Sequence, residues 1–208
     1  MAEYLDEHEQ WQQVLTWLRE QGPWMLMTVL VVLAGFGGWR FWRAHQQRRD
    51  LAAEGGYEQV IDAYGRNDFA GGTAAVDQLV KNYPGTAYAD MADLAAARVA
   101  VEHSQLPEAA TRLTHVLDTT HDAELKLLAR LRLARVQLGQ GKADVALKTL
   151  SAADPGAFAA RYAEVRGDAL LAKGDRAGAL QAYRAARRGE DTLDSSLLDL
   201  KIDDLAHS

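Results

Sequence analysis

The chain has 208 residues, a formal net charge of −6 and no cysteine, so it carries no disulfide, no thiol nucleophile and no Cys-based metal site. The acidic balance argues against nucleic acid as the main partner, because no basic surplus is available to neutralise phosphates. Abundant Ala and Leu and scarce Pro favour helix almost throughout.

The first segment, residues 1–20, contains an amphipathic stretch over 5–18 in which Trp11, Val14, Leu15 and Leu18 recur at helical spacing. Its acidic residues disfavour an anionic lipid surface and favour a protein partner. A transmembrane helix is predicted over 21–42. No charged side chain occurs from Gln21 to Trp39, and those 19 residues match the bilayer's hydrocarbon core at about 1.5 Å of rise each. Trp24 stands at one end of the run and Trp39, Phe41 and Trp42 at the other, where amphipathic rings prefer the headgroup level. Pro23 suits the first turn of such a helix. A cleaved signal peptide is disfavoured by the acidic start (Glu3, Asp6, Glu7, Glu9) and by the Trp39-Arg40-Phe41-Trp42 sequence after the apolar run. Ala34 and Gly38 form a small-xxx-small pair, a candidate face for packing against another membrane helix or a second copy. Only Arg19 precedes the apolar run, whereas Arg40, Arg43, Arg48 and Arg49 follow it. Counted naively, that asymmetry keeps the C-terminal region in the cytoplasm.

Residues 43–208 read as an all-α helical-repeat solenoid. Breaks fall at Arg66-Asn67-Asp68, Tyr83-Pro84-Gly85, Ser104–Pro107, Thr119–Asp122, Gly139-Gln140-Gly141, Asp154-Pro155-Gly156, Gly174-Asp175 and Gly189–Thr192. Leu138-Gly139-Gln140-Gly141 with Ala146-Leu147 and Leu150 recurs 33 residues later as Leu171-Ala172-Lys173-Gly174 with Ala179-Leu180 and Tyr183. That spacing is close to the tetratricopeptide period. Small residues occupy one register in the first helices (Ala63, Ala97, Ala134, Gly167) and another in the second (Ala75, Ala109, Ala146, Ala179). Four helix pairs are expected, with a final helix from about Leu193 to Leu205 capping the stack.

No catalytic motif emerges, and no cofactor-binding or metal-binding residue is assigned. The six histidines are dispersed without metal-ligand spacing, His115 and His121 are expected near a turn, and the glycine patches lack a P-loop context. Function by binding is the expectation. The positions expected to face the concave surface include Tyr64, Met91, Leu94, Arg98, Leu131, Arg135 and Asp168. Arg98 and Arg135 hold equivalent places in successive repeats, where guanidinium groups beside Leu and Met suit an extended peptide. The alternative is that these arginines are solvated or paired with acids such as Glu102 and Asp168.

Several segments also resemble a known family. Gly38-Trp39-Arg40-Phe41-Trp42 with His45-Gln46 resembles the membrane-exit segment of YfgM-type proteins, the ancillary SecYEG translocon subunits. Leu131–Gln137 with Ala143-Asp144 and Ala146–Leu150 resembles that family's third helix pair, and Arg166–Leu171 with Lys173-Gly174-Asp175 its fourth. The resemblance implies a type II inner-membrane protein with a cytoplasmic N-terminus and periplasmic repeats. It further implies association with SecYEG and the membrane-anchored chaperone PpiD, in support of newly translocated proteins. A cytoplasmic interaction of the N-terminal segment with a stress-response regulator is implied too, and a membrane tether for that regulator is the alternative function. The implied topology runs against the arginine count, but long domains translocate largely regardless of flanking charge.

Overall fold

The computed structural model describes residues 3–189 and 195–206, with the side chains of residues 3–23, 25, 26, 29, 44 and 195 outside that description. Among the described residues the chain is all-helical, with α1 (Glu3–Gly65), α2 (Phe69–Asn82), α3 (Ala87–Glu102), α4 (Leu106–Thr119), α5 (Ala123–Gly139), α6 (Ala143–Ser151), α7 (Ala159–Ala172), α8 (Arg176–Arg187) and α9 (Ser195–Ala206). A short 3-10 turn, Gly156–Phe158, precedes α7. Two units are distinguished, one up to Arg49 and one from Asp50 onward.

The described residues of the first unit belong to α1, and the helix runs through Pro23 without a break. Pro23 therefore lies well inside the helix and not in its first turn, where its lack of an N–H removes a single backbone bond. The amphipathic face expected over 5–18 lies outside the described side chains, as does part of the membrane span expected over 21–42. Among the described residues no helix is long and apolar enough to cross a membrane.

The second unit is a tetratricopeptide-like solenoid. The end of α1 pairs with α2, and α3/α4, α5/α6 and α7/α8 follow as three more pairs. The turn inside each pair is built in one way. Asn67, Ser104, Gly141 and Gly174 each take a left-handed backbone, with φ of 60°, 59°, 72° and 83°. In each case the next residue's N–H donates to a carbonyl five residues back: Asp68 to Ala63, Gln105 to Ala100, Lys142 to Gln137 and Asp175 to Leu170, at 2.7–3.0 Å. This closes the end of the first helix and satisfies carbonyls that would otherwise lack donors. Asp68 and Asp175 then cap the second helix, each accepting from the backbone N–H three residues on at 2.9 Å.

Each apolar cluster is shared by three neighbouring helices. Ala53, Val60, Val76, Leu79, Ala92 and Ala96 join α1, α2 and α3. Leu94, Ala97, Leu113, Val116, Leu133 and Val136 join α3, α4 and α5. Leu131, Ala134, Ala146, Leu150, Tyr162 and Val165 join α5, α6 and α7. Tyr183, Ala186, Leu198 and Leu205 seat α9 on α8, so the last helix does close the end of the stack.

The small-residue register holds with one correction. Ala63, Ala97, Ala134 and Gly167 are buried, as are Ala109, Ala146 and Ala179. In α2, however, the buried row is Gly72, Val76 and Leu79, and Ala75 is only half-buried. Gly72 therefore holds the place expected of Ala75. The reason is steric: a Cβ at Gly72 would lie 2.3 Å from the ring of Tyr64, so only glycine admits that ring.

Candidate binding groove

The second unit carries an open groove where α3, α4 and α5 meet, with a volume of about 480 Å³. Its apolar surface comes from Ala97, Val101, Leu106, Leu113 and Val136, and its charged rim from Arg98, Glu102, Arg132 and Arg135. Close packing of Ala97 and Ala109 lets the three helices approach, and Gly139 lets the Leu106 side chain reach over α5, since a Cβ there would stand 3.2 Å from it.

The three arginines differ in what holds them. Arg98 Nε donates to Glu102 Oε1 at 2.8 Å, one turn along α3, and both side chains are largely exposed. Such a surface pair contributes on the order of 0–1 kcal/mol. Arg135 lies 3.9 Å from Glu164, whose carboxylate is already held by Lys201 at 3.0 Å. Arg132 has no carboxylate partner among the described residues. Burial, then the neighbouring charges of Arg135 and Arg98, draws its guanidinium below the usual arginine range.

Arg98 and Arg135, which hold equivalent repeat positions, both line this groove. The other expected concave residues are placed elsewhere. Leu131 is buried in the α5–α7 cluster and Leu94 in the α3–α5 cluster, so both pack the solenoid. Tyr64 is half-buried against Gly72, and Met91 is exposed on α3 but does not line the groove. Asp168 accepts from the Tyr183 hydroxyl at 2.7 Å and from Lys201 at 2.8 Å, which makes it a strut between α7, α8 and α9. Lys201 is held above its usual range, burial being outweighed by Asp168 and Glu164. Arg132 was not singled out by the repeat alignment, although its position three residues before Arg135 places the two on one helical face. Ala34 and Gly38 are exposed on α1, and a Cβ at Gly38 would meet open space.

A buried charged cluster lies between α3 and α4. Asp93, 2% exposed, accepts from Arg112 at 3.3 Å and meets His115 Nδ1 at 2.7 Å. Arg112 also reaches Asp77 at 2.7 Å on α2 and Glu108 at 2.7 Å on its own helix. Burial would lower the Arg112 guanidinium, but the contacts with Asp77 and Glu108 outweigh it and hold it above the ordinary range. Burial pushes the carboxyls of Asp93 and Asp90 up, against the opposing pull of His115 on the first and of Thr120 on the second. The cluster ties three helices together. His115 therefore sits within α4, and His121 alone of the two lies in the turn that follows.

Comparison with known proteins places these features in a lineage. A tetratricopeptide repeat-like domain model matches residues 16–207. The ancillary SecYEG translocon subunit of Escherichia coli (strain K12) is 33% identical over 207 residues, covering 99% of this chain and 100% of the relative. The protein of the same name from Haemophilus influenzae is 30% identical over 205 residues, again covering 99% and 100%. That of Neisseria gonorrhoeae is 27% identical over 210 residues.

Proposed function

The chain belongs to the tetratricopeptide repeat-like family of ancillary SecYEG translocon subunits, and on that premise we propose that it is a non-enzymatic accessory subunit of the export translocon, working by binding. The end-to-end match to the Escherichia coli subunit carries the reading, because it extends over the N-terminal helix as well as the repeats.

The division proposed is an N-terminal segment over 1–20, a membrane helix over 21–42 and a repeat domain over 43–208. Support for the membrane helix comes from the uncharged run Gln21–Trp39. Within it Trp24, Met27, Leu30, Val31, Val32, Leu33 and Phe36 expose 58–76% of their surface. Apolar side chains at successive positions 30–33 point to every side of a helix, and such a helix needs an apolar surrounding. Ala34 and Gly38 are the proposed packing face towards other membrane helices.

In this reading the protein sits in the inner membrane with its repeats in the periplasm, where they hold a PpiD-like chaperone or a newly translocated chain. The four arginines after the uncharged run, Arg40, Arg43, Arg48 and Arg49, can direct their guanidinium groups to lipid headgroups. A phosphatase fused to the C-terminus is expected to be active, and activity only of a cytoplasmic reporter would overturn the topology. Photo-crosslinkers at Val31 and Phe36 are expected to capture SecYEG subunits, and one at Val101 a periplasmic protein. Capture of no channel subunit from α1 at native abundance would overturn the assignment.

A further inference from the structure

We propose that the α3–α4–α5 groove is a docking site for an extended acidic peptide segment, with two carboxylates flanking a bulky apolar residue. The inference rests on the reading that the repeats bind a protein, and it names the chemistry of what they bind.

Charge complementarity selects this occupant. Three guanidinium groups meet at one groove in a chain whose net charge is −6. Among the described residues, Arg98 pairs with Glu102 at 2.8 Å in an exposed, exchangeable contact, and Arg135 stands 3.9 Å from Glu164, a carboxylate it shares with Lys201. Among the described residues Arg132 has no carboxylate partner, and the neighbouring charges of Arg135 and Arg98 repel it, so an incoming carboxylate offsets that repulsion. Guanidinium groups take carboxylates through paired N–H bonds in a shared plane, a geometry that an ammonium group does not offer.

The rest of the surface narrows the class further. Val101, Leu106 and Val136 give an apolar wall between the cations, and the volume of about 480 Å³ accepts a few side chains. A bare anion would leave that wall wet, whereas a peptide covers it. The groove opens to solvent and its cations come from two helices, Arg98 on α3 and Arg132 and Arg135 on α5. That spread suits a chain passing through with separate acidic residues better than a single terminal carboxylate. One repeat further on, the acids Glu164 and Asp168 are already occupied by Lys201.

The test uses the full chain in detergent micelles and fluorescence anisotropy of a labelled twelve-residue peptide alternating Glu with Leu and Phe. Binding is expected, at least tenfold weaker for the same peptide with Gln in place of Glu. Arg132→Gln should weaken binding about tenfold, and Arg132→Lys should recover only part of it. Glu102→Gln should tighten binding severalfold, because it releases Arg98 from its internal competitor. An unchanged circular dichroism melt of each variant is the folding control. Equal binding of the Glu and Gln peptides, or no gain from Glu102→Gln, would overturn the proposal. So would full displacement by millimolar inorganic phosphate, which would mark a simple anion site, or retention only of a peptide with a free C-terminal carboxylate. Crosslinking from Val31 separates the two levels. Channel capture without peptide binding removes the groove inference alone, and loss of channel capture removes the translocon reading.

Discussion

Replacing Gly167 with alanine adds one methyl group where α7 and α8 pass close together. Its Cβ would lie 2.4 and 2.5 Å from ring carbons of Tyr183. Carbon atoms pack comfortably at about 3.5–4.0 Å, so the ring has to move by about 1 Å. Tyr183 has little freedom to do so, being 1% exposed with its hydroxyl bonded to Asp168 at 2.7 Å. Overpacking of this kind costs about 1–3 kcal/mol, and weakening the bond to a charged acceptor adds about 1 kcal/mol. Alanine returns about 1 kcal/mol as the better helix former. The balance is a loss of about 2 kcal/mol, or a fall in Tm of about 4–8 °C for a domain of this size. Thermal unfolding followed by circular dichroism on the full chain in detergent reads it directly. In a Tyr183→Leu background the same alanine should be neutral or slightly stabilising, since the ring it strikes is gone. A Gly167→Ala variant as stable as the parent, or one equally harmed in both backgrounds, would refute the steric account of how the two helices meet.

Ser104→Gly should raise stability by about 0.5 kcal/mol, because it removes a side chain from a left-handed backbone at some cost in unfolded-state entropy; a urea midpoint measures it, and a fall would contradict the turn geometry. Leu113→Ala, at a position 1% exposed under the groove, should cost about 2–5 kcal/mol in the same assay. Asp93 yields a pH prediction. Its carboxyl lies above the ordinary range through burial, so the folded chain holds that proton more tightly than the unfolded chain. The resulting stability is fully present below the unfolded value and is lost as pH rises through the folded one. The stability advantage of the parent over Asp93→Asn should therefore shrink as pH rises above the unfolded carboxyl value of about 4, and an advantage that widened would sink the burial argument.

Much of the solenoid was legible because its devices are written in residues with one physical reading. Gly141 and Gly174 announce left-handed turns, so the last two pairs stood out. The first two pairs use Asn67 and Ser104 for the same backbone, and such residues signal many other things. The four turn residues are spaced 37, 37 and 33 residues apart, so a search keyed to one constant period meets only the end of the array cleanly. Arg98 and Arg135 were found because they too lie 37 residues apart, in step with those turns. Arg132 falls outside the aligned position and shows its role only when the facing helix is in place. Leu94 and Leu131 were read as concave, yet a helix buries its apolar stripe on two sides in a solenoid, against its partner and against the next pair. The Asp93–Arg112–His115 cluster was not legible at all, because charged residues on an amphipathic helix are ordinarily read as the wet face. The small side chains of Ala97 and Ala100, buried in the cluster shared with α4, bring α3 close to that helix.

The central claim is that α1 and the repeats together serve the export channel. Affinity purification of the full chain from membranes in mild detergent, at native abundance and with quantitative mass spectrometry, tests it most directly. The account predicts recovery of SecYEG subunits, reduced when the apolar run 21–42 is exchanged for an unrelated membrane helix. Recovery of no channel subunit under conditions that keep the translocon intact would contradict it.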